Sequence, residues 1–542
     1  MKHKLPIHCF DVGIDVSSDA HACHAKPEHT TQKLLPVWRA SARMALVTAV
    51  SIAAVGVIAT GMVGCADMSG IETKAVLRDA PSLGLPVAAE PTPTVSAQWW
   101  EGFGDEQLNS LVAQALQSNP SLKIAQARLA RSQAVTEVAD AATLPQLGAQ
   151  FDATRQRYTA NGLVPPPLAG SIRETGTAQL NASWELDFFG KNRAALDTAL
   201  GSMHAAEADA QAASVLLASN VARSYFQLVR LNEQAALAHR TLAQREETLK
   251  LVQDRVNAGL DTRLELRQSE GGLPEARLQL ESLQEQMALS RNALGALIGQ
   301  PNIAASALVA IPPAQAAIKN VAVRSTIPAD LLGRRADITA ARWRVEASIK
   351  DVANAKTQFY PNINLVAFAG FSSIGLNRLF DSGSQQWGAG PALRLPIFDA
   401  GRLRANLRGK TADLDAAVES YNAAVLDAVR DVADQLASIQ SIARQQAEQR
   451  AASQAAEGAY DIAVQRYKAG LGTYLNVLTA ETNVLVQRRT AVDLAARALD
   501  TQVALMRALG GGYIPVTELP PNATKNIAGH AREMASVASF SH

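Results

Sequence analysis

Two hydrophobic periods alternate along the chain, and each occurs twice. Residues 178–188 set Ala178, Leu180, Ala182, Trp184, Leu186 and Phe188 against Gln179, Asn181, Ser183, Glu185 and Asp187. A period of two is that of a strand with one apolar and one polar face. Leu147, Ala149 and Phe151 alternate with Gly148, Gln150 and Asp152 just before it. Residues 362–371 and 386–396 form a second, less regular pair. After each pair the period lengthens, with no proline from Gly190 to Gly259 or from Gly401 to Gly470. Ala, Leu, Gln and Arg fill these stretches, and such side chains lose little freedom in a helix. At 1.5 Å per residue each helix would reach on the order of 100 Å, more than a globular domain can hold. Shorter return helices are expected over 261–298 and 473–509. Gly271, Gly272 and Pro274 predict a kink in the first that the second lacks.

The two halves share a register. Arg255-Val256-Asn257-Ala258-Gly259-Leu260 returns as Arg466-Tyr467-Lys468-Ala469-Gly470-Leu471, 211 positions later. The same spacing carries Gly190 onto Gly401, Val221-Ala222 onto Val432-Ala433, Ala293-Leu294 onto Ala504-Leu505 and Gly299 onto Gly510. A constant spacing over so long a span marks a duplicated unit. Each copy reads helix, strand, strand, long helix, turn, return helix. We expect an upstream segment and signal over 1–64, a lipidated linker over 65–96, repeat 1 over 97–325, repeat 2 over 326–512 and a loosely ordered tail over 513–542.

Composition narrows the function. The 51 basic and 50 acidic residues nearly cancel, which gives no electrostatic case for nucleic acid. Cys9, Cys23 and Cys65 all precede the repeats, so no disulfide framework holds the body. We see no phosphate-binding glycine loop, no metal-ligand spacing in the body and no nucleophile elbow. The expectation is a protein with no catalytic site, metal or cofactor.

The N-terminal region reads as an export signal. Arg39 and Arg43 precede an uncharged, Ala/Val-rich run from Met44 to Ala66 that contains Met62-Val63-Gly64-Cys65. A charged flank, an apolar stretch and a small residue before the cut describe a secretory signal. The cysteine after that small residue resembles a lipobox, and Cys65 is the expected lipidation site. A transmembrane anchor is the competing reading, since such a run is long enough to span a bilayer. The upstream stretch with Cys23 between His21 and His24 precedes the cut, and we expect translation to start near Leu35 or Val37.

With an export signal ahead of them, the alternating strands read as membrane strands rather than a soluble hairpin. The segments 158–176, with Pro165-Pro166-Pro167, and 374–385 would be outer loops. Four strands cannot close a barrel, and an open edge in lipid leaves backbone groups unpaired. Membrane strands therefore require assembly.

Together these features resemble the TolC-type outer-membrane factors, most closely the NodT/OprM-like lipoproteins of resistance-nodulation-division efflux systems. Over about 97–512 the resemblance rests on Trp99-Trp100 with Phe103 and Asp105, on Trp184-Glu185-Leu186-Asp187-Phe188-Phe189-Gly190, and on Arg334-Arg335-Ala336-Asp337-Ile338. Tyr360-Pro361 and Leu395-Pro396-Ile397-Phe398-Asp399-Ala400-Gly401 complete it. The family usually has proline at the Ala336 position. The resemblance implies a mainly α protein with membrane β: a tandem-repeat protomer of long periplasmic helices plus four strands, closing as a homotrimer with a 12-stranded β-barrel and a 12-helix α-barrel tunnel. It implies residence in outer-membrane lipid, and export of drugs, toxic organics or metals together with an inner-membrane pump and a periplasmic adaptor. A type I protein-secretion outlet and a periplasmic coiled-coil adaptor or scaffold are the alternatives.

The site expectations follow from the turns. Ala258, Gly259 and Leu260, with Ala469, Gly470 and Leu471, would be the periplasmic tips that meet the adaptor. Glycine at such a hairpin supplies a positive φ. Related tunnels close with acidic rings just after the second turn, where this chain has Asn476 and Thr479; the first repeat has Glu265 and Gln268. These four are the gate-region candidates. Asp427, Asp431 and Asp434, at helical spacing, could supply lumenal charge instead, but a solvated helix face is the favoured reading.

Overall fold

The structure, a computed structural model, describes residues 68–78, 95–300 and 334–513. The export signal, Cys65 and the tail beyond Tyr513 lie outside the described residues. After a 3₁₀ turn at Trp99–Phe103, α1 (Glu106–Ser118) and α2 (Pro120–Ala141) lead into β1 (Gln146–Arg157) and β2 (Ile172–Leu186). The long α3 (Lys191–Asn257) and the return helix α4 (Arg263–Leu297) complete the first repeat. The second comprises α5 (Ala336–Thr357), β3 (Asn362–Ile374), β4 (Gln385–Arg394), the long α6 (Arg402–Lys468) and the return helix α7 (Tyr474–Ala508).

Local chemistry fixes these ends. Asp105 caps α1 by accepting from the Gln107 and Leu108 amides at 2.9 and 3.1 Å, and Asn119 caps α2 ahead of Pro120. Thr262 and Glu265 form a reciprocal capping box on α4. Both long helices have 67 residues, about 100 Å at the helical rise. Their ends fall within a residue or two of the glycines that delimit them in the sequence. The return helix α4 runs on through Gly271, Gly272 and Pro274, and Arg245 of α3 donates to the Gly272 carbonyl at 2.8 Å.

The four strands make one antiparallel sheet in the order β1-β2-β3-β4. The repeats join through β2 and β3, with Trp184 opposite Leu365 and Leu180 opposite Ala369. β1 and β2 extend farther outward than the alternation predicts, to Arg157 and Ile172, which shortens the first outer loop. The second loop carries two 3₁₀ turns, Leu376–Arg378 and Ser382–Ser384. β4 stops at Arg394, just ahead of Leu395-Pro396, where proline has no amide to give a ladder.

The largest core lies where the short helices meet the long ones. Trp99, Trp100, Phe103, Leu108 and Val112 pack on Val221, Tyr225, Phe226 and Leu228 of α3, with Leu294 of α4 and Val503 of α7. The Tyr225 hydroxyl donates to Asp105 at 2.6 Å. Arg335 ties the second repeat together, pairing with Asp337 at 2.7 Å and Asp431 at 3.4 Å, and donating to the Ala508 carbonyl. Burial works against the Asp337 carboxylate, but the hydrogen bonds and charge of Arg335 outweigh it and hold its pKa below the usual range. Asp431, read from the sequence as part of a solvated face, is thus turned onto Arg335. Among the described residues no helix is long and apolar enough to cross a membrane.

Candidate functional site

The sheet presents two unlike faces, and the register assigns every strand residue to one of them. Leu147, Phe151, Leu180, Trp184, Leu365, Trp387 and Leu393 share one face. Phe151 is 65%, Leu147 74% and Trp387 82% exposed, so nothing among the described residues covers it. An uncovered apolar surface of this size calls for a partner or a lipid phase. The opposite face carries Gln146, Gln150, Asp152, Gln179, Asn181 and Ser183, with Asn362, Asn364 and Gln386. β1 and β4 each have a free edge. Aromatic groups gather where the sheet meets the helices: Phe189 stacks on Tyr360 at 5.0 Å, Phe398 is 89% exposed, and Trp184 donates to the Thr143 carbonyl.

At the far end of the long helices lie the two hairpin turns. Each is a Schellman motif. The Leu260 amide donates to the Arg255 carbonyl at 2.9 Å and that of Gly259 to Val256 at 3.0 Å; Leu471 and Gly470 repeat the pattern on Arg466 and Tyr467. Gly259 and Gly470 have φ of 73° and 74°. All six residues expected at the tips, Ala258 to Leu260 and Ala469 to Leu471, are exposed.

Just behind them the two hairpins are fastened together. Arg255 pairs with Asp261 at 2.9 Å, their side chains only 12% and 10% exposed. The Tyr467 hydroxyl donates to the same carboxylate, while the Arg255 guanidinium lies 4.6 Å from the centre of the Tyr467 ring. Tyr467 also packs with Val252, Tyr474 and Val477. Burial, and then its bond to Asp261, push the Tyr467 hydroxyl well above its usual pKa. Burial opposes charge on Asp261, but its bonds from Arg255 and Tyr467 prevail and lower its pKa. About three turns farther along α3, Arg245 bridges Glu275 at 3.0 Å and the buried Glu481 of α7 at 3.3 Å.

The gate-region candidates lie near this knot without forming it. Glu265 is occupied by the capping box, accepting from the Thr262 amide at 3.0 Å and from its hydroxyl. The Thr262 hydroxyl bond is the main reason its pKa is lowered. Gln268, Asn476 and Thr479 are exposed, and the Thr479 hydroxyl donates back to the Leu475 carbonyl in its own helix. Sequence reasoning missed Arg255, Asp261 and Tyr467. For two of them the signal was a break in the repeat: Tyr467 stands where repeat 1 has Val256, and Asp261 where repeat 2 has Gly472, whereas Arg255 is repeated as Arg466.

A second feature missed in the sequence is a strap. Residues 68–78 run along α6, with Met68, Ile71 and Ala75 packed against a cluster that includes Leu407 and Leu414. Asp415 accepts from the Thr73 hydroxyl and from the amides of Lys74 and Ala75 at 2.9 and 3.1 Å. Asn422 exchanges bonds with the strap backbone, accepting from Arg78 at 2.9 Å and donating to Val76 at 3.0 Å. Arg404, in the first turn of α6, donates to the Ser69 carbonyl. The strap thus holds the chain four residues past Cys65 beside the junction of helix and sheet.

Comparison with known proteins places this geometry. A family model described as outer membrane efflux protein matches residues 111–300 and 327–511. The multidrug resistance outer membrane protein MdtQ of Escherichia coli O6:H1 is 34% identical, over 83% of this chain and 96% of its own. MdtP of Escherichia coli K12, also described as a multidrug resistance outer membrane protein, is 32% identical over 77% of this chain and 86% of its own. The outer membrane protein VceC of Vibrio cholerae superposes with a TM-score of 0.72 at 38% identity, covering 77% of this chain and all of that one.

Proposed function

The chain belongs to the outer membrane efflux protein family, and from that premise we propose that three copies close into the exit duct of a tripartite efflux system. The carrying observation is the sheet. Its apolar face is uncovered, its other face is polar, and both edges are open. Open edges are not tolerated in lipid, so β4 of one copy pairs with β1 of the next until the barrel closes. The polar face then lines water and the apolar face meets lipid. The 67-residue helices continue the lumen into the periplasm.

The exposed turns at Ala258–Leu260 and Ala469–Leu471 meet the periplasmic adaptor, which couples the duct to an inner-membrane pump. The Arg255–Asp261–Tyr467 knot holds those tips together in the resting duct. Cys65 carries the lipid, and the strap on α6 sets where that anchor enters the membrane. Small amphipathic compounds are the exported class, in keeping with relatives described as multidrug resistance proteins. Light scattering on the full chain in detergent should return a trimer, and the same sample should form discrete pores in planar bilayers. A monomer that conducts nothing would refute the reading.

A further inference from the structure

The polar face of the sheet carries an ordered row of carboxamides. Gln150 donates to Asp152 at 2.6 Å, Asn181 to Gln150 at 3.4 Å, Gln179 to Asn181 at 3.0 Å and Gln386 to Gln179 at 3.0 Å. The row crosses from β1 to β4 because β3 offers only Gly370 between Gln179 and Gln386. A Cβ on Gly370 would fall 2.5 Å from the Gln179 Cα. The direction of the row is set at one end. Asp152 accepts from the Gln150 amide nitrogen, which leaves the Gln150 oxygen for Asn181, and the choice passes along the row. Each amide nitrogen thereby keeps one N–H unused within the row.

Within this polar wall sits one aromatic side chain. The register places Phe368 on the same face, between Asn181 and Gly388. Its ring lies over Gly388, where a Cβ would meet Phe368 Cε1 at 2.7 Å. Phe368 is 41% exposed. No other aromatic residue shares that face of β1 to β4. A ring held over glycine, beside N–H donors of the row, offers a stacking surface together with matching hydrogen bonds.

We propose that Phe368 and the adjoining amides of Asn181, Gln179 and Gln386 form a binding station for planar aromatic compounds that carry hydrogen-bond acceptors. Its place in the lumen rests on the channel reading above; the station itself rests on the sheet within one protomer. In the trimer it occurs three times at one level, so exported compounds of this class pause there before release, whereas saturated compounds pass without stopping.

The test uses the full chain in detergent, with its mass read first by light scattering, and acridone as the probe, an uncharged fluorescent tricycle with one carbonyl. Binding is followed by fluorescence anisotropy in matched micelles. Stacking and hydrogen bonding of this kind predict that Phe368→Leu weakens binding about threefold to tenfold, with Phe368→Tyr retaining it. Asn181→Val should weaken it by a similar factor, and cyclohexanone, a carbonyl without a ring face, should not displace acridone. Leucine also covers Gly388, so equal binding by wild type and Phe368→Leu in a trimer would show that Phe368 only shields the glycine, and would overturn the station alone. Phe368-dependent binding by a chain that never forms trimers would support the station while removing the channel reading.

Discussion

The Tyr467 hydroxyl donates to the Asp261 carboxylate, so the last turn of the second repeat's long helix is fastened to the turn of the first repeat's hairpin. Arg255 completes the arrangement from beneath, paired with the same carboxylate and set against the Tyr467 ring. Neither half of the duplication contains this knot by itself. It joins Tyr467, where repeat 1 has Val256, to Asp261, where repeat 2 has Gly472.

Removing the Tyr467 hydroxyl should loosen the tip without unfolding the helices. A hydrogen bond to a charged acceptor is worth about 1.5–3 kcal/mol, and Tyr467→Phe loses only that. Asp261→Ala should cost more, since it also leaves the half-enclosed Arg255 without its carboxylate. Amide hydrogen exchange over 255–262 and 466–472 should quicken in the order wild type, Tyr467→Phe, Asp261→Ala. Larger pores in planar bilayers should follow the same order. Unchanged exchange in both variants would show that the knot carries no local stability.

The knot should hold across a wide, bounded range of pH. The Asp261 pKa in the folded chain lies below its ordinary value of 3.8. Its contribution is therefore complete above that value and lost as pH falls through the lowered one. The Tyr467 pKa is raised above its ordinary 10.0. That contribution is complete below 10 and lost as pH rises through the raised value. Tip exchange rates corrected for intrinsic chemistry should be flat from about pH 5 to 9. Tyr467→Phe should erase the alkaline limb while keeping the acid one.

Multivalent cations should block this duct weakly. At the gate-region positions beyond the second turn stand the exposed Asn476 and Thr479, and neutral groups supply no converging negative field for a narrow pore to focus. Bilayer currents with and without a trivalent cation on the periplasmic side test this. Asn476→Asp should restore block in the assembled pore by placing three carboxylates at one level. Strong block of the unaltered chain would contradict the prediction.

What could be read in the sequence was whatever repeats locally. Alternation from Ala178 to Leu186 identified both faces of β2, and the 211-residue register placed the ends of both long helices. The outer halves of β1 and β2 escaped notice because Arg155, Arg157, Arg173 and Glu174 break the alternation; backbone pairing there no longer depends on apolar partners. Asp261 and Tyr467 lie 206 positions apart, and no periodic signal links them. The strap is held by side-chain bonds to its backbone and by only three apolar residues, Met68, Ile71 and Ala75, too few to set up a hydrophobic period. Asn476 and Thr479 follow the second turn, yet the contacts that fasten the tips belong to Tyr467 before it and to Arg255 and Asp261 around the first.

The strap should detach when its acceptor is removed. Asp415 takes three donors from Thr73, Lys74 and Ala75, and these bonds hold its pKa low, the Thr73 hydroxyl foremost. Asp415→Ala should expose the backbone after Lys74 and Arg78 to trypsin, with cleavage much faster than in wild type. Asp413→Ala, which removes a neighbouring carboxylate that pairs with Lys410, should leave the strap protected. Equal cleavage in both variants would mean that apolar packing of Met68, Ile71 and Ala75 suffices to hold it.

The turns separate shape from contact. Around Gly259 and Gly470 an added Cβ would meet nothing within 4 Å, so alanine there tests conformation alone. Holding a non-glycine residue at positive φ costs about 1–2 kcal/mol, and Gly470→Ala should raise tip exchange by that measure. Leu260 and Leu471, 65% and 69% exposed, do not support the fold and are free to meet a partner. Leu260→Ser together with Leu471→Ser should give a trimer of ordinary thermal stability that no longer captures the periplasmic adaptor and no longer restores efflux to a strain lacking the duct. Full efflux by that double variant would place the adaptor contact elsewhere on the helices.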